Sequence, residues 1–410
     1  MLSREDNELL THVGPGTPMG ALMRRYWIPV LYADQLAEPD GAPVRVRLLG
    51  EDLVAFRDTD GRVGLLDERC PHRTASLYFG RNEECGLRCV YHGWKFDVEG
   101  NCVDLPSEPA GSTLQRKVRV KSYACAERGG LVWTYMGAPE QRPALPDLEW
   151  MRLPDAHRHT SRQIMECNWL QGLEGGVDAS HLAFLHGGVA VGDITLRPYQ
   201  YEVVPTDFGF VAGAGRERED GRTFWTANVM LMPFHKIIAS VPVGAHIWVP
   251  MDDENTMQYC VTFLPDRPLT EKDLARETSF NGIHAENIAG TDRPVRNRDN
   301  DYLVDRALQA SRDSYTGIKG LGTQDNAIQE SMGPIADRTL EHLGISDTAI
   351  IQIRRLLLQT LRDLDAGKTP PGLDPARYQV RSSRYIAPTG VPFSATMQAQ
   401  ICLEAAVAAE

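Results

Sequence analysis

The sequence predicts an α+β protein of two domains, a small all-β domain followed by a larger one in which helices cover an antiparallel sheet. Short β-rich runs separated by Gly, Asp and Asn fill residues 43–135, a pattern typical of antiparallel strands. Strand and helix patterns both occur after residue 150. A chain of 410 residues also exceeds the size at which a single core normally stops growing.

The composition is that of a globular protein, and it argues against several classes of partner. The formal net charge is −12, so we expect no binding to nucleic acid or to anionic membranes. The chain has no run of the roughly 18 apolar residues that a spanning helix needs, and its start, MLSREDNELLTHVG, lacks the apolar core of a signal peptide. We therefore expect a cytoplasmic protein. Its eight cysteines are too few for a disulfide framework, and their clustering indicates a metal site.

The chain divides by pattern into three parts. Residues 1–39 are predicted to form an N-terminal helical segment that packs on the second domain, with the helical pattern centred on Met19–Trp27. Residues 40–150 are predicted to form the all-β domain, which ends in a Pro-rich linker over 137–150. Residues 151–410 are predicted to form the second domain.

Within the second domain, helices are predicted over about 168–185, near 301–312 and over about 346–367. The last helix has an apolar stripe, Ser346 as its N-cap and Gly367 as its C-terminal cap. Strands are predicted between the first two helices at GFVAGAG, TFWTANVMLM, HKIIASV, AHIWVPM and MQYCVTFL.

Residues of metal-binding type cluster between positions 68 and 97. Cys70-Pro71-His72 and Cys89-Val90-Tyr91-His92 place one thiol and one imidazole on each of two short loops. Two sulfur and two nitrogen ligands suit a mononuclear zinc ion. They also suit a Rieske [2Fe–2S] cluster, in which one iron binds both cysteines and the other both histidines. The single residue between Cys70 and His72 is tight for one tetrahedral ion and natural for two irons.

The motifs CPHR and CVYHGWKFD resemble those of the Rieske family, and the resemblance covers the β-rich domain. It implies four ligands for a [2Fe–2S] cluster: Cys70, His72, Cys89 and His92. A structural zinc site is the alternative, and Cys85 could in principle join it. We expect Cys85, Cys102 and Cys125 to be buried free thiols.

A second candidate metal site lies in the first predicted helix of the second domain. Glu174, Asp178 and His181 are spaced i, i+4 and i+7, which places them on one helix face. His186 can reach the same ion as His181 only if the helix widens or ends between them, and Gly187-Gly188 favours an end there. Two histidines and a carboxylate form the facial triad of non-haem Fe(II) oxygenases. Taken alone, the spacing is also typical of a buried histidine pair.

Together with the Rieske motif, this stretch resembles the oxygenase α subunit of the Rieske non-haem iron oxygenases. The resemblance implies that His181 and His186 bind a mononuclear Fe(II). It also implies a third ligand, an aspartate in an (E/Q)-D run about five residues before a glutamate, and Gln324-Asp325 fits this pattern. Asp337 is the alternative third ligand, and its other interpretation is a helix-terminal ion pair with Arg338.

The same resemblance implies a role for Asp178 in electron transfer. Asp178 is expected to bridge His92 of one subunit and His181 of its neighbour. A metal-bound imidazole presents its second N–H outward, and a carboxylate is a strong partner for that group. The alternative is that Asp178 orients His181 within one chain.

Four later stretches resemble the phthalate dioxygenase branch of this family: NDYLVDR, TGIKG, TQDNAIQESMGPIADRTLEHLG and AIIQIRRLLL. The resemblance then spans nearly the whole chain and implies a helix-grip fold for the second domain. It implies oxidation of aromatic acids or ethers by ring dihydroxylation, monooxygenation or O-dealkylation. It also implies homotrimers or stacked trimers, and electrons from NAD(P)H through a reductase that carries FMN and a [2Fe–2S] ferredoxin domain.

An aromatic acid that enters a negatively charged protein needs a local cation. Arg216, near Arg218 and Arg222 in a predicted hairpin, is the candidate carboxylate binder, and a solvated surface arginine is its alternative interpretation. The following strands, HKIIASVPVGAHIWVPMDDENT, contain no arginine, so a monocarboxylate or an aryl ether is expected rather than phthalate.

The sequence therefore predicts an oxygenase component that uses O2 and reductase-supplied electrons to oxidise an aromatic compound. O-demethylation or monooxygenation in place of ring dihydroxylation is the first alternative. A Rieske electron carrier and a zinc-stapled binding protein are the alternatives from other functional classes. A pure electron carrier would need only about the first 150 residues. The length of the chain and its second histidine pair therefore argue against that function.

Overall fold

The computed structural model describes residues 2–109, 112–187, 200–279, 282–311 and 313–403. Gly188, the second glycine of the predicted helix end, lies outside these residues. The chain forms two compact units, each described by itself. The β unit comprises Gly14–Gly16 and Gly20–Leu145, and the α+β unit comprises Met1–Val13, Thr17–Met19 and Pro146–Glu410. The domain boundaries given above stay a prediction.

Antiparallel strands make up the sheets of the β unit. Their bounds are β1 Trp27–Tyr32, β2 Val44–Leu48, β3 Glu51–Arg57, β4 Val63–Asp67, β5 Arg81–Glu83, β6 Gly86–Arg88, β7 Lys95–Phe96, β8 Cys102–Asp104, β9 Ser122–Arg128 and β10 Leu131–Tyr135. One sheet has the order β1-β10-β9-β4-β3-β2 and the other the order β5-β6-β7-β8. β1 lies within the segment that was predicted to be helical. The structure has a strand there instead, because the apolar run WIPVLY pairs with β10 and is buried beside it.

The core of the β unit packs beneath the loops that carry the first metal motif. Val54, Phe56 and Leu66 from the six-stranded sheet join Leu87 and Phe96 from the four-stranded sheet in one buried cluster. The thiols of the two motif loops belong to the same cluster. Burial of this apolar surface therefore fixes both loops against a common base.

The sheet of the α+β unit is also antiparallel throughout. Its strands are β11 Arg158–Met165, β12 Gln200–Pro205, β13 Gly209–Glu217, β14 Arg222–Leu231, β15 His235–Ile238, β16 Val243–Pro250, β17 Thr256–Phe263 and β18 Ser383–Pro388. The order is β11-β17-β16-β15-β14-β13-β12, with β18 paired to β14. The strands predicted from sequence, β13 to β17, are confirmed. β11, β12 and β18 were not expected, because polar residues in these segments obscure the alternation that marks a strand.

The helices are α1 Arg4–Thr11, α2 Pro18–Met23, α3 Trp169–Val177, α4 Glu271–Glu277, α5 Arg306–Ser311, α6 Leu321–Ser331, α7 Thr348–Asp365 and α8 Phe393–Ile401. Among the described residues, no helix has both the length and the apolar character needed to span a bilayer. The predicted C-terminal cap of α7 is confirmed, since Gly367 follows it with φ +78°. Ser346 is not its N-cap: a 3₁₀ turn over Ile345–Asp347 precedes α7 and makes Asp347 the capping residue.

Helix α3 packs on the face of the sheet that carries His246 and Trp248, called the inner face below. A Cβ atom on Gly172 would lie 2.3 Å from Trp248 Cδ1, and one on Gly176 would lie 2.3 Å from Trp248 Cη2. Both positions therefore need glycine, because a side chain there would push the helix off the indole.

A buried ion-pair network joins α3 to α7. Glu174 on α3 accepts hydrogen bonds from Arg338 at 2.9–3.2 Å and from Arg354 Nε at 2.6 Å. Arg354 on α7 also pairs with Glu341 at 2.6 Å. Burial alone would raise the pKa of Glu174, but the two guanidinium groups lower it further, and the net shift is downward.

Candidate metal centres

The two thiol–imidazole loops of the β unit have equivalent backbones. In each, the amide four residues after the cysteine donates to that cysteine's carbonyl, from Thr74 to Cys70 and from Gly93 to Cys89, both at 2.9 Å. Thr74 and Gly93 each have a positive φ, +59° and +77°. A Cβ atom on Gly93 would lie 2.6 Å from Pro106 Cγ, so the second loop requires glycine.

The loops bring all four predicted cluster ligands together. Cys70 and Cys89 are 1% and 2% exposed, whereas His72 and His92 are only half-buried. The two imidazole rings lie 4.4 Å apart between centroids, and Trp94 stacks on His72 at the same distance. Two buried sulfurs therefore lie beneath two imidazoles that reach toward solvent.

The donor set fits a [2Fe–2S] cluster better than one tetrahedral ion. A single zinc ion with bonds of about 2.0–2.3 Å needs all its donors within about 4 Å of one another. Among the described residues, two groups of at least three donors lie within 4.8 Å of one another, and neither contains any of these four residues. Burial raises the pKa of Cys70 to about 11, and the neighbouring Cys89 adds to the shift. A bound metal would supply the positive charge that favours the thiolate of Cys70.

The other cysteines of the β unit lie around this core. Cys102 is buried in the same apolar cluster, as predicted, and burial raises its pKa to about 11. Cys85 is not buried. It lies half-exposed in the turn between β5 and β6 with φ +58°, because a tight hairpin turn is at the surface. Cys125 on β9 is half-buried rather than buried as predicted.

The second candidate site begins where α3 ends. The prediction of one helix from 168 to 185 is wrong after Val177, because Asp178 caps α3 in an extended conformation. Ser180 donates from its amide at 2.6 Å and from its hydroxyl at 2.7 Å to Asp178 Oδ1. This turn leads into a 3₁₀ turn over His181–Ala183. His181 therefore lies outside the helix that was predicted to place it on one face with Glu174, and the Glu174 carboxylate pairs with Arg338 and Arg354 instead.

Three predicted ligands converge here from two segments of the chain. The Nε2 atoms of His181 and His186 lie 3.5 Å and 3.3 Å from Oδ1 of Asp325 on α6. All three donors lie within 4.8 Å of one another, and the imidazole centroids are 5.1 Å apart. Two imidazoles and one carboxylate on one side of an ion fit the facial triad of non-haem Fe(II), with the other positions open.

Gln324 orients the His186 ring, a role that was not expected from the sequence. Its side-chain NH2 donates to the Ile318 carbonyl at 2.8 Å, so its oxygen faces His186 Nδ1, also at 2.8 Å. Nδ1 must therefore carry the proton, and Nε2 keeps its lone pair for a metal. The position of Gln324 directly before Asp325 is the only sequence signal for this role.

The electrostatics of the triad fit a cation between its members. Burial raises the pKa of Asp325, but the hydrogen bond with His186 and the charges of both histidines outweigh it, so the net shift is downward. Burial lowers the pKa of His186, but Asp325 and Gln324 raise it overall. A divalent ion would replace the proton that lies between His186 and Asp325. Its ligands would then be one negatively charged carboxylate and two neutral imidazole nitrogens.

Asp178 and Asp337 lie in different surroundings. Asp178 Oδ2 is 3.4 Å from His181 Nδ1, on the ring side opposite Asp325. Burial raises the pKa of Asp178, yet His181 and Ser180 lower it further, and the net shift is downward. Asp337 is exposed and caps its own turn by accepting from Thr339. It does not pair with Arg338 as its alternative interpretation required, because Arg338 turns inward to Glu174.

Arg216 lies near the end of β13, half-buried, in register with Phe224 of β14. Arg384 on β18 is a neighbour of like charge. Burial and the charge of Arg216 together lower the pKa of Arg384. Its role as the carboxylate binder stays a prediction.

Comparisons with known proteins agree with both centres. The Rieske [2Fe-2S] domain family matches residues 26–124, and the "LigXa C-terminal domain like" family matches residues 205–401. The 3-chlorobenzoate-3,4-dioxygenase oxygenase subunit of Comamonas testosteroni is 41% identical, over 98% of this chain and 99% of that one. The phthalate 4,5-dioxygenase oxygenase subunit of Pseudomonas putida is 40% identical, over 91% and 89%.

A solved structure shares the fold at low sequence identity. The NdmA QL mutant of Pseudomonas putida CBB5, solved with theobromine, aligns with a TM-score of 0.61 at 20% identity, over 84% of this chain and 92% of that one. The chain belongs to the Rieske non-haem iron oxygenases, as an oxygenase α subunit. Within that family it falls in the phthalate dioxygenase branch.

Membership defines the enzyme class and its cofactors. The chain is an oxygenase component with a Rieske [2Fe–2S] cluster and a mononuclear non-haem iron. Oxygenase subunits of this kind act in multi-component systems, so it requires an electron-transfer partner as well as a substrate.

Proposed function

We propose that this chain uses O2 and reductase-supplied electrons to oxidise an aromatic carboxylate. The observation that carries the proposal is the convergence of His181, His186 and Asp325, in a chain that also holds the buried thiol–imidazole pairs. An electron carrier has no use for this second donor group. The relatives named as chlorobenzoate and phthalate dioxygenases support an aromatic acid as substrate.

The [2Fe–2S] cluster is proposed to bind four residues of the β unit: Cys70, His72, Cys89 and His92. Bound there, it supplies one electron at a time. The two cysteines that would hold one iron are buried, while the two histidines that would hold the other are only half-buried. The exposed edge of His92 is the proposed exit for electrons.

The mononuclear Fe(II) is proposed to bind His181, His186 and Asp325, where it supplies open positions for O2 and substrate. Gln324 holds His186 in the metal-binding tautomer. Asp178 holds His181 Nδ1 from the other side of the ring.

Asp178 is further proposed to link the two centres across a subunit boundary. One of its oxygens is occupied by Ser180 and the other faces His181 at 3.4 Å, which leaves lone pairs for a second imidazole. His92 of a neighbouring subunit is the proposed partner. This geometry needs the homotrimers or stacked trimers that the sequence predicts.

The finer identity of the partners is also a proposal. We propose a reductase with FMN and a [2Fe–2S] ferredoxin domain as electron donor, and the cytoplasm as the location. Arg216 stays a prediction for the carboxylate binder. A monocarboxylate stays the expected substrate, with an aryl ether as the alternative.

The test is turnover with a surrogate reductase of that type, NADH and a panel of benzoate, 3-chlorobenzoate, phthalate and methoxybenzoate. Ring dihydroxylation adds both oxygen atoms of O2 to one product, whereas O-demethylation releases formaldehyde and water. Mass spectrometry of products formed under ¹⁸O2 distinguishes the two. A colourless protein that contains zinc but no sulfide, and forms no product from this panel, contradicts the proposed function.

A further inference from the structure

A row of polar side chains crosses the inner face of the α+β sheet. Lys236 on β15 pairs in register with His246 on β16, which pairs in turn with Cys260 on β17. Directly paired residues of antiparallel strands project from the same face, with Cβ atoms about 4.5–5.5 Å apart. Lys236 and His246 are therefore neighbours on the face against which α3 packs.

This row lies close to the mononuclear centre. The charges of Asp325 and Asp178 both act on Lys236, and the charge of Asp325 also acts on His246 and Cys260. Lys236 in turn acts on His186. The triad and the row are therefore close enough for their charges to interact.

Lys236 has no direct counter-ion among the described residues. Its side chain is half-buried, yet it forms neither a hydrogen bond nor an ion pair there. Burial lowers its pKa to about 8 despite the opposing effect of Asp325 and Asp178. A partly buried cation without a partner among the described residues is suited to an anion that arrives from outside.

His246 presents a second unused group beside it. The side chain is 8% exposed, and its Nε2 atom is buried without a hydrogen-bond partner among the residues that the structure describes. Its neighbour Trp248 stands edge-on to the imidazole at 5.6 Å and fixes one side of the ring. A buried polar atom with no partner costs free energy unless a ligand satisfies it.

We propose that Lys236 and His246 bind the carboxylate of the aromatic substrate, so that the ring extends from them toward the iron ligands. This inference rests on the proposed function and names the anion subsite of the same centre. One ammonium and one imidazole match a single carboxylate, which favours a monocarboxylate over phthalate.

Arg216 lies too far along the sheet to share this carboxylate. Arg216 pairs with Phe224 of β14, whereas Lys236 pairs with Met230 of the same strand. Six residues at about 3.4 Å each separate these positions by about 20 Å. A single benzoate cannot contact both cations.

The test is calorimetric titration of the iron-loaded full chain, without reductant or O2, with 3-chlorobenzoate and with its neutral analogue 3-chlorobenzamide. We expect Lys236→Met to bind the carboxylate about 10- to 100-fold more weakly than the wild type, because it loses a charged hydrogen bond. Binding of the amide should change less than about threefold. Lys236→Arg should recover most of the carboxylate affinity, and His246→Gln should weaken it less than Lys236→Met does.

Two matched controls accompany this titration. Lys272→Met removes an exposed lysine of α4, and Arg216→Met removes the competing candidate. Lys272→Met should bind 3-chlorobenzoate like the wild type, whereas Arg216→Met compares the binder predicted from the sequence directly with Lys236. If Arg216→Met weakens binding and Lys236→Met does not, or if the wild type binds both probes equally, the inference is wrong.

Iron content separates this inference from other roles. Loss of mononuclear iron in Lys236→Met overturns it, because Lys236 would then serve the metal site. Failure of the proposed function is distinguishable, since it appears as absent turnover of the wild type across the whole substrate panel. A wild type that turns over an aromatic acid while Lys236→Met binds it equally well contradicts the inference alone.

Discussion

The role of Gln324 gives the sharpest prediction for the mononuclear centre. The substitution Gln324→Met keeps the length of the side chain but removes the amide. The variant loses the acceptor at 2.8 Å from His186 Nδ1 and the donor to the Ile318 carbonyl. Gln324 is fully buried, so water cannot readily replace either bond.

The expected magnitude follows from these two bonds. Removing an outer partner of a metal-bound histidine typically lowers metal affinity about 10- to 100-fold. This corresponds to about 1.4–2.8 kcal/mol of binding free energy. The unpaired Ile318 carbonyl adds a loss of folding stability of about 1–3 kcal/mol, which a separate thermal unfolding experiment measures.

The assay is competition for iron with a chelator, followed by iron analysis, with the visible spectrum of the Rieske cluster as an internal control. Gln329→Met is the matched control, because Gln329 is buried on the same helix but makes no bond to His186. We expect Gln324→Met to release mononuclear iron at a lower chelator concentration while the cluster stays intact. Equal retention of iron by Gln324→Met, Gln329→Met and the wild type would refute the orienting role.

Two further predictions concern acidic residues next to the site. Glu174→Gln should destabilise the α+β unit by about 3–5 kcal/mol in calorimetry at neutral pH, because it leaves the buried Arg338 without its carboxylate and Arg354 with Glu341 alone; a loss below about 1 kcal/mol contradicts the network. The pKa of Glu174 is lower in the folded state than in the unfolded state. Its contribution to the free energy of unfolding is therefore present above the unfolded pKa of about 4.3 and is lost as pH falls through the folded pKa. The free energy of unfolding of Glu174→Gln should consequently fall less than that of the wild type over this acid range. Asp178→Asn should keep the cluster and the iron but turn over about 10- to 100-fold more slowly with the surrogate reductase. Unchanged turnover would remove Asp178 from the electron path.

The cluster loops were predictable because their chemistry is local. Each loop carries one thiol and one imidazole within four consecutive residues. This spacing alone limits the metal site to a zinc ion or a Rieske cluster. The spacing does not predict that the two loops share one backbone conformation. Gly93 has a positive φ in one loop, and Thr74, a residue type that does not indicate a positive φ, has it in the other.

The end of α3 was beyond sequence reasoning for a physical reason. The pattern from Glu174 to His181 continues a helical period, but Glu174 is drawn to Arg338 and Arg354 from distant parts of the chain. Asp178 is then free to cap the helix and to accept from Ser180. Tertiary ion pairs overrode local periodicity here.

Lys236 shows a different limit. These strands contain no arginine, and the lysine of HKII is typical of an ordinary strand position. Only the pairing of β15 with β16 puts it beside His246 on the inner face.

Metal analysis of Asp325→Ala beside Asp337→Ala tests the central claim most directly, because it asks whether two separate iron centres exist and which residues hold the second. We predict that the wild type and Asp337→Ala contain the iron and sulfide of the cluster plus one further iron ion. Asp325→Ala should retain the cluster and lose that further iron. Loss of the iron from Asp337→Ala instead, or a full complement of iron in Asp325→Ala, would contradict the assignment of the catalytic centre.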